Sequence, residues 1–321
     1  MSKGLNQSTK NRKIKIKTKN NKQQNKRNIL NKAQQHITKS HSLPINKNIT
    51  TKPNSGIIPL ITYLSTDIFN TMNIQEQKQQ ISPTLLIRHS IQPALRNKYI
   101  NWMYCLCKLF GKELQLFILS VYLFDSYIDK SQTIINIKDL ELISLTCVYI
   151  STKFEEVKIP HINTLTNCNS HITREQIYQK EVDILTLTNF QLLCVTTFHY
   201  VKLFLIDLQK NKKDNKYINL YEQICIFIVK FMILDESFYK YKQSLNSIAV
   251  LIVGLDLLTT NSKQLPNDVR AFISKWVVDI IKKNKYDYTL IQQIREKLMN
   301  NWNSNNLCKC NMLNNDELQF D

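Results

Sequence analysis

Residues 137–156 read Ile137-Lys138-Asp139-Leu140-Glu141-Leu142-Ile143-Ser144-Leu145-Thr146-Cys147-Val148-Tyr149-Ile150-Ser151-Thr152-Lys153-Phe154-Glu155-Glu156. After its first turn the stretch is apolar or small nearly all round, and it ends on charges. A helix of that kind must be surrounded by other helices. Residues 243–260, QSLNSIAVLIVGLDLLTT, read the same way. Each is the third of five helical segments in series. The first series is predicted at 93–110, 112–129, 137–156, 160–168 and 172–188. The second is predicted at 196–209, 218–234, 243–260, 266–284 and 288–302. Thr173 and Gln176 have the spacing of a capping box at the start of the fifth. Pro266 suits a helix start, where its missing N–H does no harm. The chain therefore reads as all-α, two five-helix bundles in tandem, each wrapped around its own third helix.

Composition agrees. Among 321 residues only 4 are Gly and 7 Pro, while 43% are hydrophobic. Turn-rich all-β folds and glycine-lined phosphate loops need more of both. The net charge of +18 is unevenly spread. Residues 1–54 hold fourteen Lys/Arg and no acid, leaving 29 basic against 25 acidic residues for the rest. The body is near neutral, so no direct nucleic-acid partner is expected. The expected organisation is a disordered basic tail at 1–58, an N-terminal helix and linker at 59–92, with a short amphipathic stretch from Tyr63-Leu64 to Met72, bundles at 93–194 and 195–303, and a polar tail at 304–321. The Lys/Arg cluster at 10–19 reads either as a nuclear-import signal or as a solvated basic run.

Chemistry-bearing patterns are missing. Gly111-Lys112 lacks the rest of a phosphate loop, and the six histidines show no metal spacing. The eight cysteines contain no CxxC, and most sit in apolar helical patterns. Cys308-Lys309-Cys310 is weak support for a metal site, and none is expected. No apolar run reaches a membrane span and no secretory h-region opens the chain; a reducing compartment, nucleus and cytoplasm, is expected.

Two features break local rules. Glu155 and Glu156 sit at a helix C-terminus, against the macrodipole. This reads either as a functional position or as a solvated end neutralised by Lys153. Glu181 shares a helical face with Ile177, Ile184, Leu185 and Thr188. It needs a partner, with Lys153 the candidate, unless it lies at the rim and reaches water.

Taken in order, five segments resemble the cyclin family. Leu95-Arg96-Asn97-Lys98-Tyr99-Ile100-Asn101-Trp102 resembles the Met-Arg-Ala-Ile-Leu-x-x-Trp opening of the cyclin box. Asp125-Ser126-Tyr127-Ile128 is similar to Asp-Arg-Phe-Leu. Ile150 to Glu156, followed by Pro160, is similar to Ala-Ser-Lys-Tyr/Phe-Glu-Glu…Pro. Glu181…Ile184-Leu185…Phe190-Gln191-Leu192…Thr196 resembles Glu…IleLeu…Phe-x-Leu…Pro-Thr, with Val195 for the proline. Asp67-Ile68 and the stretch to Arg96 resemble the N-terminal helix of A/B-type mitotic cyclins. The resemblance covers about 63–302.

The resemblance implies a regulatory subunit, not an enzyme and without a cofactor, that binds a cyclin-dependent protein kinase and presses on its regulatory helix. It implies that Lys153 and Glu181 are the paired charges at that contact. Ile150, Phe154, Phe190 and Leu192 would be its apolar floor, and Ile68 would add to it from the N-terminal helix. Arg96, Trp102 and Asp125 would brace the fold. A substrate-docking patch would involve Leu95, Tyr99, Trp102 and Leu140, but Lys98 and Tyr99 replace its Ile and Leu. Cys105 stands for its acid and Glu141 for its Gln. In the tail, Arg27-Asn28-Ile29-Leu30 fits a destruction box, Arg-x-x-Leu, which would engage ubiquitin-ligase machinery. Two alternatives stay open: a transcription-type cyclin, and a cyclin-fold transcription factor of the IIB type. The latter should carry a zinc ribbon ahead of Cys105 and a basic body.

Overall fold

The computed structural model describes residues 57–108, 113–155, 161–167, 171–211, 216–261 and 265–304, with side chains from Asp67 onward except Glu113, Asn167 and Asn211. By its contacts the chain divides into 1–58 and 59–321, and the bundles lie in the second unit. The tail motif Arg27/Leu30, Gly111-Lys112, Glu156, Pro160, Cys168, Cys308 and Cys310 lie outside the described residues.

Eleven α-helices are described: α1 Ile57–Lys78, α2 Pro93–Lys108, α3 Glu113–Lys130, α4 Asp139–Glu155, α5 Ile162–Asn167, α6 Arg174–Leu187, α7 Thr197–Asn211, α8 Lys216–Ile233, α9 Gln243–Asn261, α10 Asn267–Asn284 and α11 Tyr288–Asn303. There is no strand among the described residues. Helices α2–α6 form the first bundle and α7–α11 the second. The expected boundaries hold to within two or three residues. The Thr173 box is formed: Gln176 N–H donates to Thr173 Oγ1 at 3.3 Å, and Thr173 N–H to Gln176 Oε1 at 2.8 Å. Pro266 is the N-cap of α10 rather than its first residue.

Helix α4 packs on α2, α3 and α6; α9 packs on α7, α8, α10 and α11. Every residue from Ile143 to Thr152 is buried. Helix α3 is buried as completely, without a break from Leu116 to Ser126. The sequence pattern reserves that status for the third helix of each bundle. Helix α3 earns it because one side faces α2 and α4 while Ile118, Val121 and Tyr122 line a cleft toward the second bundle. By length and composition α9 could cross a membrane, but two thirds of that stretch is buried in its bundle. Where α9 passes α8, Gly254 makes close approach possible: a Cβ there would lie 2.7 Å from Cys225 Sγ.

Helix α1 is longer than its apolar pattern suggests, because its second half docks through polar groups. Phe69 packs edge-on against Tyr200 at 5.8 Å. Tyr200 Oη donates to Asn73 Oδ1 at 2.8 Å. The buried Glu76 carboxylate accepts from Ser244 N–H and Oγ, both at 3.1 Å, at the N-terminus of α9, where unpaired N–H groups favour an anion. Beyond the end of α1, Gln79 grips the strap between the bundles, accepting from Val195 N–H at 2.9 Å and donating to the Leu193 carbonyl.

The junction between bundles is closed by charge. Arg96 on α2 and Asp125 on α3 are fully buried. Arg96 Nη2 reaches the Ile233 carbonyl ending α8 at 3.1 Å, and Tyr239 Oη donates to Asp125 Oδ2 at 2.6 Å. Two of the three residues expected to brace the fold thus fasten the second bundle to the first. Trp102 is half-buried and meets Tyr99 edge-on at 6.5 Å.

Candidate functional site

Lys153 stands on the last turn of α4 and Glu181 in the middle of α6. Lys153 Nζ donates to Glu181 Oε1, with side-chain exposures of 31% and 11%. The pair settles the question the sequence left open: Glu181 is buried on an apolar face and is compensated. The ammonium also lies over the ring of Tyr149, 4.7 Å from its centroid and one helical turn back on α4. Tyr149 in turn meets Tyr178 of α6 at 6.5 Å. Burial, then Tyr178 and Glu181, push the Tyr149 phenol up.

Exposed apolar side chains flank the pair. Phe154 follows Lys153 and is 43% exposed; Val182 follows Glu181, and Tyr178 precedes it by one turn, both well exposed. Phe190, 67% exposed, stands in the turn that ends α6, held by its N–H donating to the Leu185 carbonyl at 2.8 Å. Both Asn189 and Phe190 have positive φ, 53° and 55°. That conformation costs a non-glycine residue about 1–2 kcal/mol, so the fold spends stability to put a large apolar ring in water.

Other expected residues fall as follows. Leu192 is partly buried against the core, next to the exposed Leu193. Ile68 is exposed on α1 and shares a helical face with Gln75 and Gln79, which hold the strap at Leu193. Ile150 is 2% exposed. It supports the site from within the core and does not form part of its surface, because α4 is enclosed on nearly every side. Tyr149, Tyr178 and Val182 were not singled out by sequence; i, i+4 spacing to Lys153 for Tyr149, and to Glu181's neighbours for Tyr178, was the available signal.

The expected docking patch is dismantled by one member: Leu140 has no exposure and belongs to the core. Leu95, Tyr99 and Trp102 remain half-buried on α2. Burial, then the charge of Glu141, raise the Tyr99 phenol.

A cleft of about 550 Å³ lies between the bundles, lined by Ile81, Ile118, Tyr122, Met232, Phe238 and Asn246 among others. Of its carboxylates, Glu76 is engaged by Ser244 and Asp235 by Asn301. Among the described residues no group of three or more His, Cys, Asp or Glu could hold a metal ion. The geometry sets a compensated ion pair next to exposed apolar side chains, a combination that recurs where proteins dock on one another.

The comparisons with known proteins converge. Residues 67–193 match the cyclin N-terminal domain. The chain is 27% identical over 190 residues to an Oryza sativa subsp. japonica protein described as cyclin-F3-2, covering 58% of this chain and 45% of that one. It is 25% identical over 203 residues to cyclin-A3-3 of Arabidopsis thaliana, covering 61% and 60%. It spans between 39% and 66% of the length of the first such relatives. In fold it is similar to a viral cyclin from herpesvirus saimiri, with a TM-score of 0.56 at 18% identity, covering 77% of this chain and 99% of that one. It is also similar to a chain of the CAK complex of Chaetomium thermophilum, with a TM-score of 0.51 at 12% identity, covering 70% and 67%. With the tandem five-helix bundles and the ordered motifs in agreement with that match, residues 67–193 form a cyclin N-terminal domain, in a chain whose whole fold is similar to that of cyclins.

Proposed function

We propose that this chain binds and activates a cyclin-dependent serine/threonine kinase in cell-cycle control, with the Lys153–Glu181 face as the contact. The observation that carries the reading is the pair itself. Two charges from different helices compensate each other next to the exposed Phe154, Tyr178 and Val182, with Phe190 exposed in the turn that ends the helix carrying Glu181. Docking the kinase's regulatory helix there supplies the ordering that phosphoryl transfer needs, a seated Lys–Glu pair and an ordered activation loop. Ile68 and Leu192 extend the contact.

The test is affinity capture with kinase identification, followed by reconstitution of activity. Removing one partner of a desolvated pair costs about 2–5 kcal/mol at an interface, roughly 30-fold to several thousand-fold in affinity. Lys153→Ala should abolish activation while the free protein stays folded. A folded Lys153→Ala/Glu181→Ala protein that activates its kinase normally would sink the reading. The kinase recovered also separates the cell-cycle role from a transcriptional one.

The finer reading is a mitotic-type cyclin of nucleus and cytoplasm whose turnover is directed by Arg27 and Leu30 through ubiquitin-ligase machinery. Deleting 1–54 should leave kinase activation in vitro intact and change localisation or lifetime in cells. Loss of kinase binding on that deletion would count against it.

A further inference from the structure

We propose that Tyr149 is a positioning residue that seats the Lys153 ammonium for the partner, with Tyr178 holding Tyr149 in place. The proposal rests on the kinase-binding reading of the same face and assigns to it two residues outside the ion pair.

A lysine is a poor anchor by itself. Its four-carbon stem carries large rotamer entropy, which any partner must remove on binding. A half-exposed ion pair restrains it weakly, since screening and side-chain freedom offset most of the attraction. Here the ammonium has a second restraint on its own helix. Tyr149 is buried, and its ring centroid lies 4.7 Å from Lys153 Nζ, well inside the range of a cation–π contact. Glu181 accepts one of the three ammonium N–H groups from across the α4–α6 boundary. The ring face offers a diffuse negative potential and needs no N–H of its own. The charge is therefore fixed from two helices while N–H capacity is left for a partner's carbonyl, and the side chain keeps 31% of its exposure.

The ring itself is wedged. Tyr178 on α6 packs at 54° against Tyr149, so the helix that brings Glu181 also brings the brace. Leu at 149 would keep an apolar side chain there, smaller than the ring, and leave the ammonium on a single tether.

The experiment uses the full chain, titrated against the purified cyclin-dependent kinase recovered with it, and lysine-detected NMR of the free protein. Tyr149→Leu should weaken kinase binding about 2- to 30-fold, the span of exposed to desolvated cation–π contacts. Tyr149→Phe, which keeps the ring and loses the hydroxyl, should restore it. In the free protein the Lys153 ε-methylene protons should resonate upfield through the ring current, return to ordinary positions in Tyr149→Leu, and stay upfield in Tyr149→Phe. A Tyr149→Leu protein with unaltered melting that binds its kinase normally would overturn this proposal alone. An unshifted Lys153 methylene in the wild type would do the same. A wild-type chain with the upfield signal that binds no cyclin-dependent kinase would overturn the kinase reading, and this proposal with it.

Discussion

Arg96 and Asp125 face each other with two parallel hydrogen bonds, Nε to Oδ1 at 2.9 Å and Nη2 to Oδ2 at 2.7 Å, and neither side chain has any exposure. Each is also bonded to the other bundle, Arg96 to the Ile233 carbonyl and Asp125 to Tyr239. Burying two charges is costly, and the cost is offset only while all these partners are present.

Breaking that set from one side should be severe. Arg96→Met leaves the Asp125 carboxylate buried without its cation and should destabilise the protein by about 3–5 kcal/mol. Arg96→Met/Asp125→Leu should recover much of this, because neither charge is then stranded. Urea midpoints of the two variants decide the matter; a double variant no more stable than Arg96→Met would mean that the stranded carboxylate is not the source of the loss.

Phe190 should show a trade between stability and partner binding. Its φ of 55° is strained for phenylalanine and tolerable for asparagine, and its ring lies mostly in water. Phe190→Asn should raise the free protein's stability by about 1 kcal/mol, a few degrees in melting temperature, while weakening kinase binding. A lower melting temperature would show that the ring contributes more to the fold than its strain removes.

His199 should make the protein acid-sensitive. Burial first, and the charge of Lys202 second, push its imidazole down to about 4 from 6.5. Its Nδ1 accepts from Thr196 N–H at 3.2 Å, which requires the neutral ring. Because the unfolded chain takes up this proton at higher pH than the folded one, stability should fall as pH drops from about 6.5 toward about 4. His199→Asn should flatten that part of the urea-midpoint profile. An unchanged slope in the variant would assign the sensitivity to other groups.

Gly254→Ala should be unfavourable although it improves helix propensity by about 1 kcal/mol. The new methyl would stand 2.7 Å from Cys225 Sγ and 3.2 Å from Tyr221 Cε2. Both residues are fully buried, and Tyr221 is tied to the Leu251 carbonyl at 2.7 Å. Overpacking of this kind costs about 1–3 kcal/mol, so the net loss should be near 1 kcal/mol. Adding Cys225→Ala should relieve it, and thermal melts of the two single variants and the double measure the coupling.

The helices were legible because apolar period and polar breaks act locally, and Thr173/Gln176 fixed one start to the residue. The Lys153–Glu181 pair was legible for a related reason: each charge sits where an apolar residue belongs, and such positions need compensation. Three things were not. The length of α1 depends on Asn73, Glu76 and Gln79 bonding to residues more than a hundred positions away, and no local period encodes that. Ile150 and Leu140 were assigned to surfaces they do not reach, since on a helix apolar nearly all round the pattern cannot say which side is covered. The left-handed turn at Phe190 has no signal at all, because phenylalanine is among the last residues expected there.

The grip of α1 on the second bundle also sets an order of events during synthesis. Glu76 and Ser244 are 168 residues apart. At about 5–20 residues per second, a ribosome needs roughly 8–34 s to bring the second partner out after the first. Through most of that interval, until Phe204 is out, Phe69 has neither Tyr200 nor Phe204 to lie against, although the first bundle can already close over its own α4. The first of the described helices to be made is thus among the last to dock, and the nascent chain passes through a stage with a folded domain and an unclaimed amphipathic segment beside it. Limited proteolysis of ribosome-stalled chains would read this directly: cleavage within 67–78 in chains stopped before 244, and protection once synthesis has passed 304.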